Sequence, residues 1–177
     1  MRIIAGERRG ARIAAAKGAH TRPTSDRARE SAYNLIGPVD DAAVLDLFAG
    51  SGAMGLEALS RGAGRCVFVD SDRAACAAIR DNLARLALTG ASVLCQDAFQ
   101  ALREERRAGR AYDLVLADPP YGAWADLQPL LARALPPVLA PHGLLVVETP
   151  AAVEPELPLA LQTSRRYGSA RITLFTS

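Results

Sequence analysis

Apolar positions in this chain follow two alternating patterns. Short apolar runs at residues 44–48, 66–69, 92–95, 112–117 and 144–148 are separated by stretches in which apolar residues recur every three or four positions, at 56–60, 74–88, 98–107 and within 125–139. Brief runs predict buried strands and the longer period predicts helices. Strands alternating with helices at this spacing predict parallel pairing through crossover helices, and so an α/β fold with an open, doubly wound, mostly parallel sheet. The two ends depart from this pattern. Residues 161–166 and 170–175 flank Tyr167-Gly168-Ser169 and predict a C-terminal antiparallel hairpin, while residues 2–6 and 10–13 around a turn at 7–10 predict a small N-terminal one. Pro23 biases Arg22 away from helix, and Thr24, Ser25 or Asp26 can cap a helix that ends near Ile36, before Gly37-Pro38. The division expected is a basic arm, residues 1–30, packed on a catalytic domain, residues 31–177.

The first strand runs into Gly50-Ser51-Gly52-Ala53-Met54-Gly55, a glycine turn that opens a helix. G-x-G-x-x-G alone suggests a dinucleotide whose pyrophosphate rests on helix-start amides. Asp46 changes that balance, because a carboxylate beside the loop repels phosphate and attracts a cation. S-adenosylmethionine (SAM) carries a sulfonium, an ammonium and no phosphate. Ligands of such sheets bind beyond the carboxyl ends of the strands, near the point where strand order reverses, and those ends carry Asp46, Asp70, Asp97 and Asp118. Asp70, about twenty residues past the turn, suits the two ribose hydroxyls of an adenosine. Asp72 reads as the cap of the next helix. Asp97 with the Ala98 amide suits an adenine edge, the carboxylate accepting from the amino group and the amide donating to the ring.

Composition narrows the class. With 177 residues, 50% hydrophobic and 23% charged, the chain can bury a sizeable core. No apolar run is long enough for a bilayer and the first residues lack a signal-peptide core, so a cytoplasmic protein without membrane attachment is expected. Cys66, Cys76 and Cys95 lack C-x-x-C spacing and read as buried thiols, and His20 and His142 as loop residues; no metal is expected. The net charge of +2 hides an asymmetry: residues 1–29 hold eight basic and two acidic side chains, a net of +6, against −4 for the rest. Such an arm suits a polyanion, most simply nucleic acid, with Arg2, Arg8, Arg9, Arg12 and Lys17 as the candidate contacts.

Asp118-Pro119-Pro120-Tyr121 follows the fourth strand. It resembles the motif of methyltransferases acting on exocyclic or side-chain amide nitrogens, in which Asp, Asn or Ser precedes two prolines and an aromatic. The prolines stiffen the loop so that the Asp118 carboxylate and Pro119 carbonyl can converge on one NH2 group. Accepting both hydrogens turns the nitrogen lone pair toward a methyl donor, a positioning effect rather than strong-base chemistry. The Tyr121 ring can stack on a flipped-out base, a role that needs the ring rather than the hydroxyl.

Three segments together, R-P-T-x-D-R-x-R-E from Arg22, D-x-F-A-G-S-G-x-x-G-L-E-A-L-S-R from Asp46, and D-P-P-Y, resemble the bacterial small-subunit ribosomal RNA guanine-N2 methyltransferase family over nearly the whole chain. Residues 168–175 resemble that family's closing strand. Departures are small: Thr21 stands where leucine is frequent and Asp70 where glutamate is. The resemblance implies a class I SAM-dependent methyltransferase, Rossmann-like in fold, that methylates one guanine of 16S RNA. An assembling subunit rather than naked RNA is the expected setting, and a monomer the expected state. The resemblance also implies Asp118, Pro119 and Tyr121 at the target base, and Arg22 and Thr24 closing over the methionine end. The cofactor contacts are then completed by Asp46, Phe48, Ala49, Gly50, Ser51, Gly52, Asp70, Asp97 and Ala98. Three alternatives stand beside it. Methylation of adenine N6 or a glutamine amide more often uses asparagine first in the tetrapeptide; an NAD-linked dehydrogenase leaves Asp46 and Asp118 idle; a non-enzymatic RNA-binding protein predicts a broken loop.

Overall fold

The computed structural model describes residues 1–14 and 26–177. After helix α1 (Asp26–Ile36), strands and helices alternate: β1 (Ala43–Leu47), α2 (Ala53–Ser60), β2 (Arg65–Asp70), α3 (Arg73–Leu86), β3 (Ala91–Cys95), α4 (Ala98–Arg107), β4 (Tyr112–Ala117), α5 (Trp124–Ala134) and β5 (Leu139–Pro150). An antiparallel pair, β6 (Ala160–Tyr167) and β7 (Ala170–Thr176), closes the chain. The seven strands form one sheet in the order β3-β2-β1-β4-β5-β7-β6, parallel except where β7 joins β5 and β6. Strand order reverses between β1 and β4, so their carboxyl ends open onto a crevice.

Two apolar layers sandwich the sheet. One joins Val44, Phe68, Leu116, Val146 and Leu174 to Tyr33 of α1 and Leu56 of α2; the other joins Leu45, Leu47, Val115 and Val147 to Ala101, Leu102 and Leu131. The central strands are buried on both faces, which is why they read as unbroken apolar runs. β3 lies at an edge, and that position overturns the expectation of three buried thiols: Cys66 and Cys76 are buried, whereas Cys95 is exposed.

The N-terminal hairpin forms, with Arg2 bridged to Arg12 and the Ile3 amide donating to the Ala11 carbonyl at 2.9 Å. Its Ile3 and Ile13 share the core of α1 and α2. The buried Glu57 carboxylate accepts from the Ile4 and Ala5 amides at 2.8 and 3.0 Å and from Arg61 Nε at 2.8 Å. Gly6 sits so close to α2 that a Cβ there would lie 1.7 Å from the Ser60 carbonyl oxygen. A boundary at residue 30 falls inside α1, and the hairpin and sheet form one packed unit. Arg29, counted in the basic arm, is fully buried, ion-paired with Asp26 at 3.0 Å and Glu57 at 3.5 Å, and donates to the Arg2 carbonyl. It therefore adds nothing to the exposed positive surface.

Among the described residues, no helix is long and apolar enough to cross a membrane, and no group of three or more His, Cys, Asp or Glu could hold a metal ion.

Candidate functional site

The turn after β1 is built from unusual backbone. Phe48, Gly50 and Gly52 all have positive φ, 57°, 54° and 74°, and for the aromatic Phe48 that region costs roughly 1–2 kcal/mol. Hydrogen bonds hold it there: the Ala49 amide donates to the Val69 carbonyl at 3.0 Å, and Gly52 to Ala49 at 2.7 Å. Gly55 brings α2 against the sheet, since a Cβ would lie 2.4 Å from the Phe68 ring. Asp70 braces the turn, its Oδ2 accepting from the Gly50 amide at 2.7 Å and its Oδ1 from the Asp72 amide at 2.9 Å. Each carboxylate oxygen has a second acceptor site, so Asp70 can hold the loop and still accept from a ligand.

A cleft of about 450 Å³ lies over these strand ends, the size of a small-molecule site. It is lined by Phe48 and Gly50 from the turn, Asp70 and Ser71 at the end of β2, Asp97 and Ala98 after β3, Asp118–Tyr121 after β4, and Glu148 on β5. Eight of the residues singled out in the sequence, Phe48, Gly50, Asp70, Asp97, Ala98, Asp118, Pro119 and Tyr121, thus meet on one surface. Ala49, Ser51 and Gly52 shape the turn without lining the cleft; the Ser51 carbonyl accepts from Asn82 Nδ2 at 3.4 Å. Asp97 also caps α4, its Oδ1 accepting from the Phe99 and Gln100 amides at 2.9 and 3.0 Å. Asp72 caps α3 through the Ala74 amide at 2.9 Å. Arg22, Thr24 and Lys17 lie outside the described residues.

Asp46 takes a different place from the one its sequence position suggested. It is 4% exposed, its Oδ2 accepts from the Gly55 amide at 2.9 Å, and it lines a separate cavity beneath the loop rather than the cleft. That cavity, about 20 Å³ and so of single-water size, is walled by Asp46, Asp118 and Glu148 among Ala32, Met54, Leu116, Val146 and Ile172. Its described lining contains no basic side chain. Burial pushes the Asp46 carboxyl up to about 7, against the lowering pull of the Gly55 amide and with a further push from Asp70. Burial, then the neighbouring Glu148 and Asp46 carboxylates, hold Asp118 well above the usual carboxylate range.

Strand register explains this crowding. Asp46 pairs with Leu116 and Leu116 with Val146, so these three share one face of the sheet. Asp118 and Glu148 stand two residues further along adjacent strands and return to that face. Glu148 was missing from the acids read at strand ends, although it closes the apolar run at 144–148 much as Asp70 and Asp118 follow theirs. Its Oε1 accepts from the Tyr121 hydroxyl at 2.7 Å. Tyr121 is 39% exposed, its ring at the cleft mouth.

Chemically, the cleft pairs a hydroxyl- and amine-accepting end, Asp70 and Asp97, with a crowded acidic end where a cation or an amine relieves repulsion. On the hairpin, Arg2, Arg9 and Arg12 are exposed; Arg8 is half-buried, its Nη2 donating to the Ala87 carbonyl at 3.4 Å.

The family model described as conserved hypothetical protein 95 matches residues 1–176. The Bacillus subtilis protein YlbH is 45% identical over 123 residues, 68% of this chain and 67% of that protein. The Escherichia coli K12 ribosomal RNA small subunit methyltransferase D is 41% identical over 122 residues, 68% of this chain and 60% of the relative. The solved structure of a Thermus thermophilus hypothetical protein superposes with a TM-score of 0.86 at 31% identity, covering 100% of this chain and 99% of that one. The solved structure of a SAM-dependent methyltransferase from Agrobacterium tumefaciens, 18% identical with a TM-score of 0.70 over 88% of this chain and 63% of that one, shares the fold alone.

Proposed function

The chain belongs to the family described as conserved hypothetical protein 95, with ribosomal RNA small subunit methyltransferase D among its similar proteins, and from that premise we propose that it transfers a methyl group from SAM to N2 of a guanine in small-subunit ribosomal RNA. The observation that carries the reading is the meeting, in one cleft, of the glycine turn with Asp70 and Asp97 on one side and Asp118-Pro119-Pro120-Tyr121 on the other.

Asp70 and the Asp97–Ala98 pair would hold the ribose and adenine of SAM, and the turn at 48–52 its amino-acid end, with Arg22 and Thr24 closing over it. When bound, SAM supplies an electrophilic methyl on a sulfonium. Asp46, under the loop, acts through charge and through its bond to Gly55 rather than by contact from the cleft wall.

At the other end, Tyr121 offers a ring face to a flipped base. The Asp118 carboxylate and the Pro119 carbonyl accept the two amine hydrogens, which directs the lone pair at the methyl. As the N–C bond forms, the methyl–sulfur bond would break with its electron pair left on sulfur as a neutral thioether, and the nitrogen sheds one proton. A carboxyl held well above its usual range is a fit acceptor for it. Arg2, Arg8, Arg9, Arg12 and Lys17 would hold the RNA backbone, and the assembling subunit is the expected setting, with the enzyme acting as a monomer.

Single-turnover transfer of labelled methyl to small subunits from a strain lacking the gene, with product nucleosides identified, tests the reading. N2-methylguanosine at one position is the expected product. Methylated adenosine, or label in protein, would overturn it.

A further inference from the structure

A tetrapeptide that accepts two hydrogens from an amine does not choose the base, because adenine, cytosine and guanine all carry one. They differ beside it. In adenine and cytosine the ring nitrogen next to the amine is a bare acceptor, whereas in guanine N1 carries a hydrogen. A group that accepts a hydrogen bond next to the amine site therefore admits guanine and repels the other two.

Glu148 has that chemistry and that position. β4 and β5 pair in parallel with Ala117 opposite Val147, so Asp118, the residue that follows β4, comes level with Glu148 on β5, and both line one cavity on the same side of the sheet. Both line the cleft and both wall the cavity beneath it. The Glu148 side chain is half-buried, and its Oε1 is held by the hydroxyl of Tyr121, the ring expected under the base. A carboxylate oxygen accepts more than one hydrogen bond, so the Tyr121 contact orients the group without exhausting it.

Building on the guanine-N2 reading above, we propose that Glu148 is the specificity-determining residue of this site: its carboxylate accepts the N1 hydrogen of guanine while Asp118 and Pro119 hold the amine. Against adenine or cytosine the same carboxylate faces a ring lone pair, two acceptors with no hydrogen between them. A site built to bond a donor rejects the analogue lacking it far more strongly than an apolar pocket rejects a change of size. Tyr121 thereby does two things, stacking with its ring and aiming Glu148 with its hydroxyl.

The test uses small-subunit RNA assembled by splinted ligation with guanine or 2-aminopurine at the mapped position and reconstituted into subunits. 2-Aminopurine keeps the 2-amine and has a bare N1. Wild-type kcat/KM should favour guanine by on the order of 10²-fold or more. In Glu148→Gln the amide can donate to a bare N1, so activity on guanine should fall at least about tenfold while the guanine to 2-aminopurine ratio collapses by a similar factor or more. The unfolding midpoint, measured on the same variant, should not fall, since removing the charge relieves repulsion on Asp118, and Glu148→Asp, which keeps the charge, should retain most of the ratio. A Glu148→Gln enzyme that loses activity equally on both bases, ratio intact, overturns the inference and leaves the guanine-N2 reading standing. A wild-type enzyme that methylates no guanine N2 overturns the reading itself.

Discussion

Two sets of acids stand at the same edge of this sheet and differ in what holds them. Asp70, the last residue of β2, and Asp97, after β3, are tied to backbone amides: Asp70 to Gly50 and Asp72, Asp97 to Phe99 and Gln100. Asp46, Asp118 and Glu148, on and after β1, β4 and β5, crowd one small cavity whose described lining has no basic side chain. The outer pair is oriented by those amides and keeps acceptor sites for hydroxyls and amines. The inner trio is crowded and buried: burial first raises Asp46 and Asp118, with a further push from Asp70 on Asp46 and from Glu148 and Asp46 on Asp118, and an incoming cation or hydrogen-bond donor relieves that cost. On the function proposed above, the carboxyl ends of the strands grade from a binding side to a reacting side, using the same side-chain chemistry in two environments.

The inner set should fail first in rate and the outer set in affinity. Asp118→Ala should lower single-turnover methyl transfer by about two to four orders of magnitude while SAM affinity stays nearly unchanged, the pattern of a contact made in the transition state. Asp118→Asn, which keeps an acceptor oxygen, should fall between. A wild-type rate for Asp118→Ala would reduce the tetrapeptide to a proline turn. Because transfer needs Asp118 ionised, the wild-type rate should also fall as pH drops through its raised range.

Asp46 predicts a stability effect of opposite sign to the usual surface acid. Its folded value of about 7 lies above the unfolded 3.8, so between those pH values the folded state binds the proton more tightly and stability falls as pH rises. The fall should reach up to about 4 kcal/mol and level off above neutrality. Asp46→Asn keeps an acceptor for the Gly55 amide and should flatten that slope in urea unfolding followed from pH 4 to 8. An identical slope in both proteins would locate the titration elsewhere.

On the outer set, Asp70→Ala should weaken SAM binding by roughly 1–3 kcal/mol, since it removes both the ribose acceptor and the brace on Gly50. Calorimetry that finds SAM affinity intact would deny the outer set its binding role. The smallest effect belongs to Tyr121→Phe, which keeps the stacking ring and loses the bond to Glu148. Its kcat/KM on guanine should drop by a factor of about two to ten, the worth of one partly exposed hydrogen bond. No change at all would make the hydroxyl as dispensable as the ring-only view of Tyr121 holds.

Sequence alone determined what is local. The alternation of apolar runs and helical periods set the strands and helices, because burial on both faces leaves a continuous apolar signature over a few residues. The glycine turn and the tetrapeptide were legible for the same reason: positive φ and proline stiffness are properties of single residues. Tertiary structure decided the rest. Asp46 turns under the loop and not into the cleft, and Arg29 leaves the basic arm for the core, because each side chain's surroundings come from elements distant in the chain. Glu148 joins Asp118 across thirty residues only because β4 and β5 pair with Ala117 opposite Val147. Which strands are neighbours, and in what register, is a property of the whole sheet, and runs that are apolar on both faces carry no alternation to mark it.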